Sequence, residues 1–130
     1  MTPPPAGGRG PLLLGMGWSP DQPGGLNRYF RALFEALDRL GAEPSAVVVG
    51  PASDAPDSVR VPAVAADPVP RRVRRYARAV PHEVDLVDAH FSLYSFVPLV
   101  LGRLRRTPAV IHFQGPWADE SEAAGERSRL

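Results

Sequence analysis

Cysteine is absent from this chain of 130 residues, which excludes a disulfide framework and any thiolate-held zinc or iron–sulfur site. Lysine is absent too, since all 15 basic residues are arginine. That removes a phosphate-loop lysine, a Schiff-base lysine and a lysine general base from the available chemistry. Net charge is scarce: 15 basic against 14 acidic residues leave +1, so bulk electrostatics gives no case for nucleic acid as a partner. Long hydrophobic runs are missing as well. The longest, Phe91 to Leu101, is interrupted by Ser92, Ser95 and Pro98 and falls well short of the roughly 20 residues a bilayer crossing needs. Leu12-Leu13-Leu14 is too short for the core of an export signal, so a cytoplasmic location is the expectation.

Proline, by contrast, is abundant. Its 16 residues and the 12 glycines make up a little less than the roughly 25–30% that marks a low-complexity chain. The prolines cluster, six before the first helical pattern and seven from Pro44 to Pro81, and so punctuate elements. With 44% hydrophobic and 22% charged residues, the composition suits one small globular domain. The Pro/Gly-rich residues 1–10 read as a disordered lead-in, and 11–130 as the folded part.

Pro11–Gly17 is a short apolar run expected to form a buried first strand. Leu26, Tyr29, Phe30, Leu33, Phe34, Leu37 and Leu40 recur at helical spacing as one stripe. Arg28, Arg31, Glu35, Asp38 and Arg39 lie opposite, with Glu35 and Arg39 spaced to pair, and Gly41 stops the helix. Ala46–Val49 predicts a second strand, and Val59–Val61 a short one within an irregular crossing over 51–70. Arg71–Val80 predicts a basic helix ended by Pro81, Asp85–Ala89 a third main strand, Val97–Arg106 a helix, and Thr107–Phe113 a fourth main strand. Strands alternating with helices predict an α/β fold, a Rossmann-like parallel sheet with helices on both faces. Ligands in such folds sit at the carboxyl ends of the strands, here the loops 17–25, 90–95 and 112–117.

Those loops hold the residues with chemical potential. Gly24-Gly25 precedes the helix, where unpaired amides and the positive dipole end favour a phosphate and glycine lets it approach. The same two glycines equally serve to turn strand into helix. The dinucleotide fingerprint is missing, because Gly15-x-Gly17 is followed by Pro20 at its third position. Asp88 and His90 lie two apart on one strand face, an arrangement in which a carboxylate holds an imidazole's tautomer, or simply a structural histidine at a strand end. His112 and Gln114 are likewise two apart before Gly115-Pro116. His82, beside Pro81 and Glu83, reads as a solvent-exposed histidine. Arg71, Arg72, Arg74, Arg75 and Arg78 form the one basic cluster, suited to an anionic membrane surface or to plain solvation. The acidic residues Asp88, Asp119 and Glu120 lack the close pairing magnesium or manganese sites use, and no metal is expected.

Taken together, Pro23-Gly-Gly-Leu-Asn-Arg-Tyr29, Asp85-Leu-Val-Asp-Ala-His90-Phe and Pro108-Ala-Val-Ile-His-Phe-Gln-Gly-Pro-Trp-Ala118 resemble the N-terminal domain of family 4 glycosyltransferases. These are retaining enzymes of the two-domain GT-B fold. The resemblance implies an incomplete N-terminal, acceptor-side half of that fold over 11–130, with the C-terminal donor-binding domain absent and the chain inactive alone. It implies transfer of a sugar from a nucleotide-sugar donor to a hydroxyl acceptor, without metal or cofactor. Gly24, Gly25, Asn27, His90 and Gly115 would border donor and acceptor, and His112 and Gln114 would stand at the catalytic position. The family often carries histidine where this chain has Gln114, and glutamine is no acid or base near neutral pH. Asp88 replaces another family histidine. The alternative is a stand-alone Rossmann-like module binding a phosphorylated ligand. A third reading is an interaction protein whose Arg71–Arg78 helix docks on an anionic membrane surface, which would place the chain at the periphery of the inner membrane face.

Overall fold

The computed structural model describes residues 10–112, apart from His82, Arg103 and the side chain of Ser92. Of the expected lead-in over 1–10, only Gly10 is described, and it is buried against the Ala42–Glu43 backbone and so belongs to the folded part. Residues 1–9, the exposure of His82 and everything from Phe113 onward lie outside the described residues.

Five strands form one sheet: β1 (Leu12–Leu14), β2 (Ser45–Gly50), β3 (Val59–Val64), β4 (Val87–Ala89) and β5 (Ala109–Ile111). All neighbours pair in parallel, in the order β3-β2-β1-β4-β5. Parallel strands require crossovers: α1 (Gly25–Arg39), α2 (Val69–Ala79) and α3 (Ser92–Phe96) provide those after β1, β3 and β4, while β2 passes to β3 through the irregular segment 51–58. The α/β class and the Rossmann-like sheet covered on both faces are therefore as expected. Alternation within the strands divides the core. Leu13, Ala46 and Val48 face Phe30 and Phe34 of α1, with Trp18 beside them. Leu12, Leu14, Val47, Val49 and Val87 face Tyr76 of α2 and Tyr94 of α3.

The α1 stripe buries Phe30 and Phe34 at its centre and leaves Tyr29 and Leu40 exposed at its margins. Gly41, at φ 79°, closes the helix in the left-handed conformation glycine tolerates. Glu35 is engaged by Arg31, at 3.4 Å, rather than by Arg39. Arg31 is already fixed one turn earlier, on Asp54 at 2.8 Å. The short strand expected near Val59 is a full edge strand of six residues that accommodates Pro62.

The helix expected from Val97 begins earlier, at Ser92, and widens into a π turn over Val97–Leu101. Pro98 has no N–H to offer the carbonyl four residues back, and the chain opens the turn around it. The Leu104 amide then donates to the Pro98 carbonyl at 2.9 Å. Among the described residues no helix is long and apolar enough to cross a membrane.

Candidate functional site

The strand order sets β4 beside β1, although β2 and β3 lie between them in the chain. Connections leave β1 and β4 toward opposite sides of the sheet, so a crevice opens at their carboxyl ends. The β1–α1 loop and the residues after β4 and β5 meet there.

The sheet register assembles the centre of this crevice. Asp88 pairs with Val110 and Ala89 with Ile111. The ladder then runs one residue further, as the His90 amide donates to the Leu14 carbonyl at 2.8 Å and the His112 amide to the Ala89 carbonyl at 2.9 Å. His90 and His112 thus stand side by side, their rings stacked 4.1 Å apart at 13°. Asp88, two residues before His90, is on the same face. Its Oδ1 lies 2.6 Å from His112 Nε2 and 3.2 Å from His90 Nε2. Neither contact has hydrogen-bonding geometry: Asp88 Oδ1 and both ring nitrogens of His90 are buried without a hydrogen bond. The His90 side chain is fully enclosed, while His112 retains 25% exposure. Phe30 closes over His90 edge-on at 5.1 Å, and Tyr29 lies 5.9 Å from each imidazole.

Helix α1 brings its N-terminus to the same end, since Tyr29 is about one turn after Gly25. Gly24 occupies the cap position with φ 129° and no side chain capping the first turn. A Cβ built on Gly25 would meet nothing within 4 Å. Neither packing nor a left-handed backbone requires glycine at 25. Its bareness leaves the first-turn amides open to approach. Gly15 is different, because a Cβ there would run into the Phe30 ring at 2.6 Å. Gly15 lets α1 pack tightly on β1.

Asn27 is not turned toward this crevice surface. It is buried, accepting the Gly17 amide and donating to the Gln22 carbonyl, both at 3.1 Å. Its amide clamps the loop. Further side chains, not singled out by their sequence context, hold the same loop. Asp21 accepts from the Ser53 amide at 2.7 Å and hydroxyl at 2.6 Å, bonds that lower its carboxyl pKa. Gln22 donates to the Gly50 carbonyl, and Arg31 to the Ser19 carbonyl. The only sequence signal for these roles was the richness of 17–25 in turn residues. Gln114 and Gly115 lie outside the described residues.

The five arginines of α2 divide. Arg71, Arg74, Arg75 and Arg78 are exposed, whereas Arg72 turns in to donate to the Tyr94 hydroxyl at 2.9 Å. Asp67 lies 3.9 Å from Arg71 and 3.7 Å from Arg75.

Compared with known proteins, residues 24–130 match the family model described as a glycosyl transferase 4-like domain. No curated protein and no solved structure matches the chain.

Proposed function

The chain belongs to the glycosyl transferase 4-like domain family, and from that premise we propose that it forms the acceptor-side wall of a GT-B glycosyltransferase cleft. The reaction is transfer of a sugar from a nucleotide-sugar donor to a hydroxyl acceptor with retention of configuration. The bond from the anomeric carbon to the diphosphate oxygen breaks, and a new bond forms to the acceptor oxygen on the same face of the sugar. The departing diphosphate gains negative charge, and the bare N-terminus of α1 at Gly24-Gly25 supports it without calling on a metal. His112, the partly exposed imidazole beside a carboxylate, is the group placed to hold or move the acceptor hydroxyl proton. Gln114 offers hydrogen bonds only. In such a cleft the other wall binds the nucleotide.

The observation that carries this reading is the convergence of the uncapped α1 terminus with the His90–His112 pair at one sheet end. A binding series tests it, using NMR titration of UDP-glucose, GDP-mannose and the free nucleoside diphosphates. Gly25→Val should weaken all diphosphate ligands at least tenfold while the fold is retained. His112→Ala should weaken nucleotide sugars more than free diphosphates. Equal losses for both ligand types in His112→Ala would favour the phosphate-binding module instead. The exposed arginines of α2 extend the reading to anionic lipid at the inner membrane face, where a membrane-borne acceptor would be met.

A further inference from the structure

The Asp88–His90–His112 group poses a problem that sugar binding alone does not solve. A buried imidazole with both nitrogens unpaired, next to a buried carboxylate oxygen also unpaired, is unfavourable unless something satisfies it. Mutual hydrogen bonding does not, because the close contacts lack the geometry. The stacked rings instead present both Nε2 atoms to the same carboxylate oxygen, and one ligand atom from each of the three residues lies within 4.8 Å of the others. Around a four-coordinate ion with bonds of about 2.0–2.1 Å, neighbouring ligand atoms stand roughly 3.3 Å apart. The 3.2 Å between Asp88 Oδ1 and His90 Nε2 is close to that, and the 2.6 Å to His112 Nε2 is shorter, so the ion would push His112 outward.

We propose that Asp88, His90 and His112 form a three-ligand site for one borderline-soft divalent cation. Two imidazoles and a carboxylate select ions of the zinc, copper and nickel class over magnesium and calcium, which prefer all-oxygen sets. The ladder bonds from His90 and His112 hold both backbones at the site, and the partial exposure of His112 provides entry and room for a fourth ligand. Because stacked rings hold their nitrogen lone pairs in nearly parallel planes, the partly exposed His112 ring has to tilt away from His90 for both nitrogens to meet one ion. The site does not rest on the transfer reading. A bound cation would take the imidazole nitrogens that a sugar would otherwise meet, so occupancy and sugar contact exclude one another.

The test is calorimetric titration of the untagged 130-residue chain with zinc chloride and, separately, magnesium chloride, with no nucleotide sugar present. One zinc per chain is expected, and no magnesium at the same concentrations. His112→Ala and Asp88→Asn should each weaken zinc binding at least tenfold, whereas His82→Ala should leave it unchanged. Zinc should also raise the melting temperature of the parent chain and not that of Asp88→Asn, a nearly isosteric change that keeps the assay usable should His112→Ala fold poorly. No zinc binding, equal binding by Asp88→Asn, or loss of binding in His82→Ala would overturn the proposal.

Discussion

Replacing Tyr76 with phenylalanine should expose how α2 is locked to the sheet. The Tyr76 ring is fully buried against Tyr94, and its hydroxyl is 2.8 Å from both the Gly15 and the Val47 carbonyls. Val47 still accepts the Gly15 amide at 3.0 Å, so the substitution chiefly removes one hydrogen bond and strips the Gly15 carbonyl. One net bond is worth about 0.5–1.5 kcal/mol, and an orphaned buried acceptor costs about 1–3 kcal/mol. We expect a loss of about 2 kcal/mol, or roughly 8–16 °C in melting temperature for a domain near 100 residues. Burial, reinforced by Tyr94, pushes the Tyr76 phenol well above its ordinary value near 10. A raised folded-state value means that this contribution is fully present below about pH 10 and is lost as pH climbs toward the folded-state value. The phenylalanine variant cannot ionise there, so its deficit should narrow in alkali. Urea unfolding of both chains at neutral and alkaline pH reads this directly. A neutral-pH deficit under about 0.5 kcal/mol, or one that does not narrow, would show that the Tyr76 hydroxyl does not lock α2 to the sheet.

The two glycines before α1 should separate in thermal melts: Gly24→Ala, at φ 129°, costs about 1–3 kcal/mol, whereas Gly25→Ala, whose Cβ meets nothing within 4 Å, stays within about 0.5 kcal/mol. Acid should loosen the β1–α1 loop. The hydrogen bonds from Ser53 hold Asp21 below its ordinary value, so their contribution is present above about pH 4 and lost as pH falls through the lowered folded-state value. Protection of the Ser53 amide, relative to its intrinsic exchange rate, should fall there, and Asp21→Asn, which cannot ionise, should show no such acid transition. Vesicles carrying phosphatidylserine should bind the chain at least tenfold better than neutral vesicles, an advantage lost in the Arg71→Ser/Arg74→Ser/Arg75→Ser variant. Equal binding to both vesicle types would remove the electrostatic role.

Much of the fold was legible because its signals are local. The Leu26–Leu40 stripe, Gly41 and the short apolar runs at Leu12 and Val47 each state their element in a few residues. The α3 boundary was not, since Ser92-Leu-Tyr-Ser-Phe96 carries no capping signature and Pro98 reads as a break, although the chain winds past it as a π turn. Asn27 lies in the first turn of α1 between Leu26 and Arg28, and its burial follows only from the tertiary position of Gly17 and Gln22. The site was half legible. Period-two spacing put Asp88 with His90 on one face, but the stacking of His90 on His112 depends on β4 lying next to β5. That adjacency is a property of strand order, which no local pattern encodes.

On the proposed function, sugar-nucleotide chemistry belongs to the end of the sheet where β1, β4 and β5 terminate. Amide and imidazole shift mapping during a UDP-glucose and GDP-mannose titration tests it most directly. Shifts are expected to concentrate at Gly24, Gly25, Tyr29, His90 and His112 for at least one donor. Shifts at the opposite sheet end, around Gly41–Ser45, or none with either donor, would contradict it.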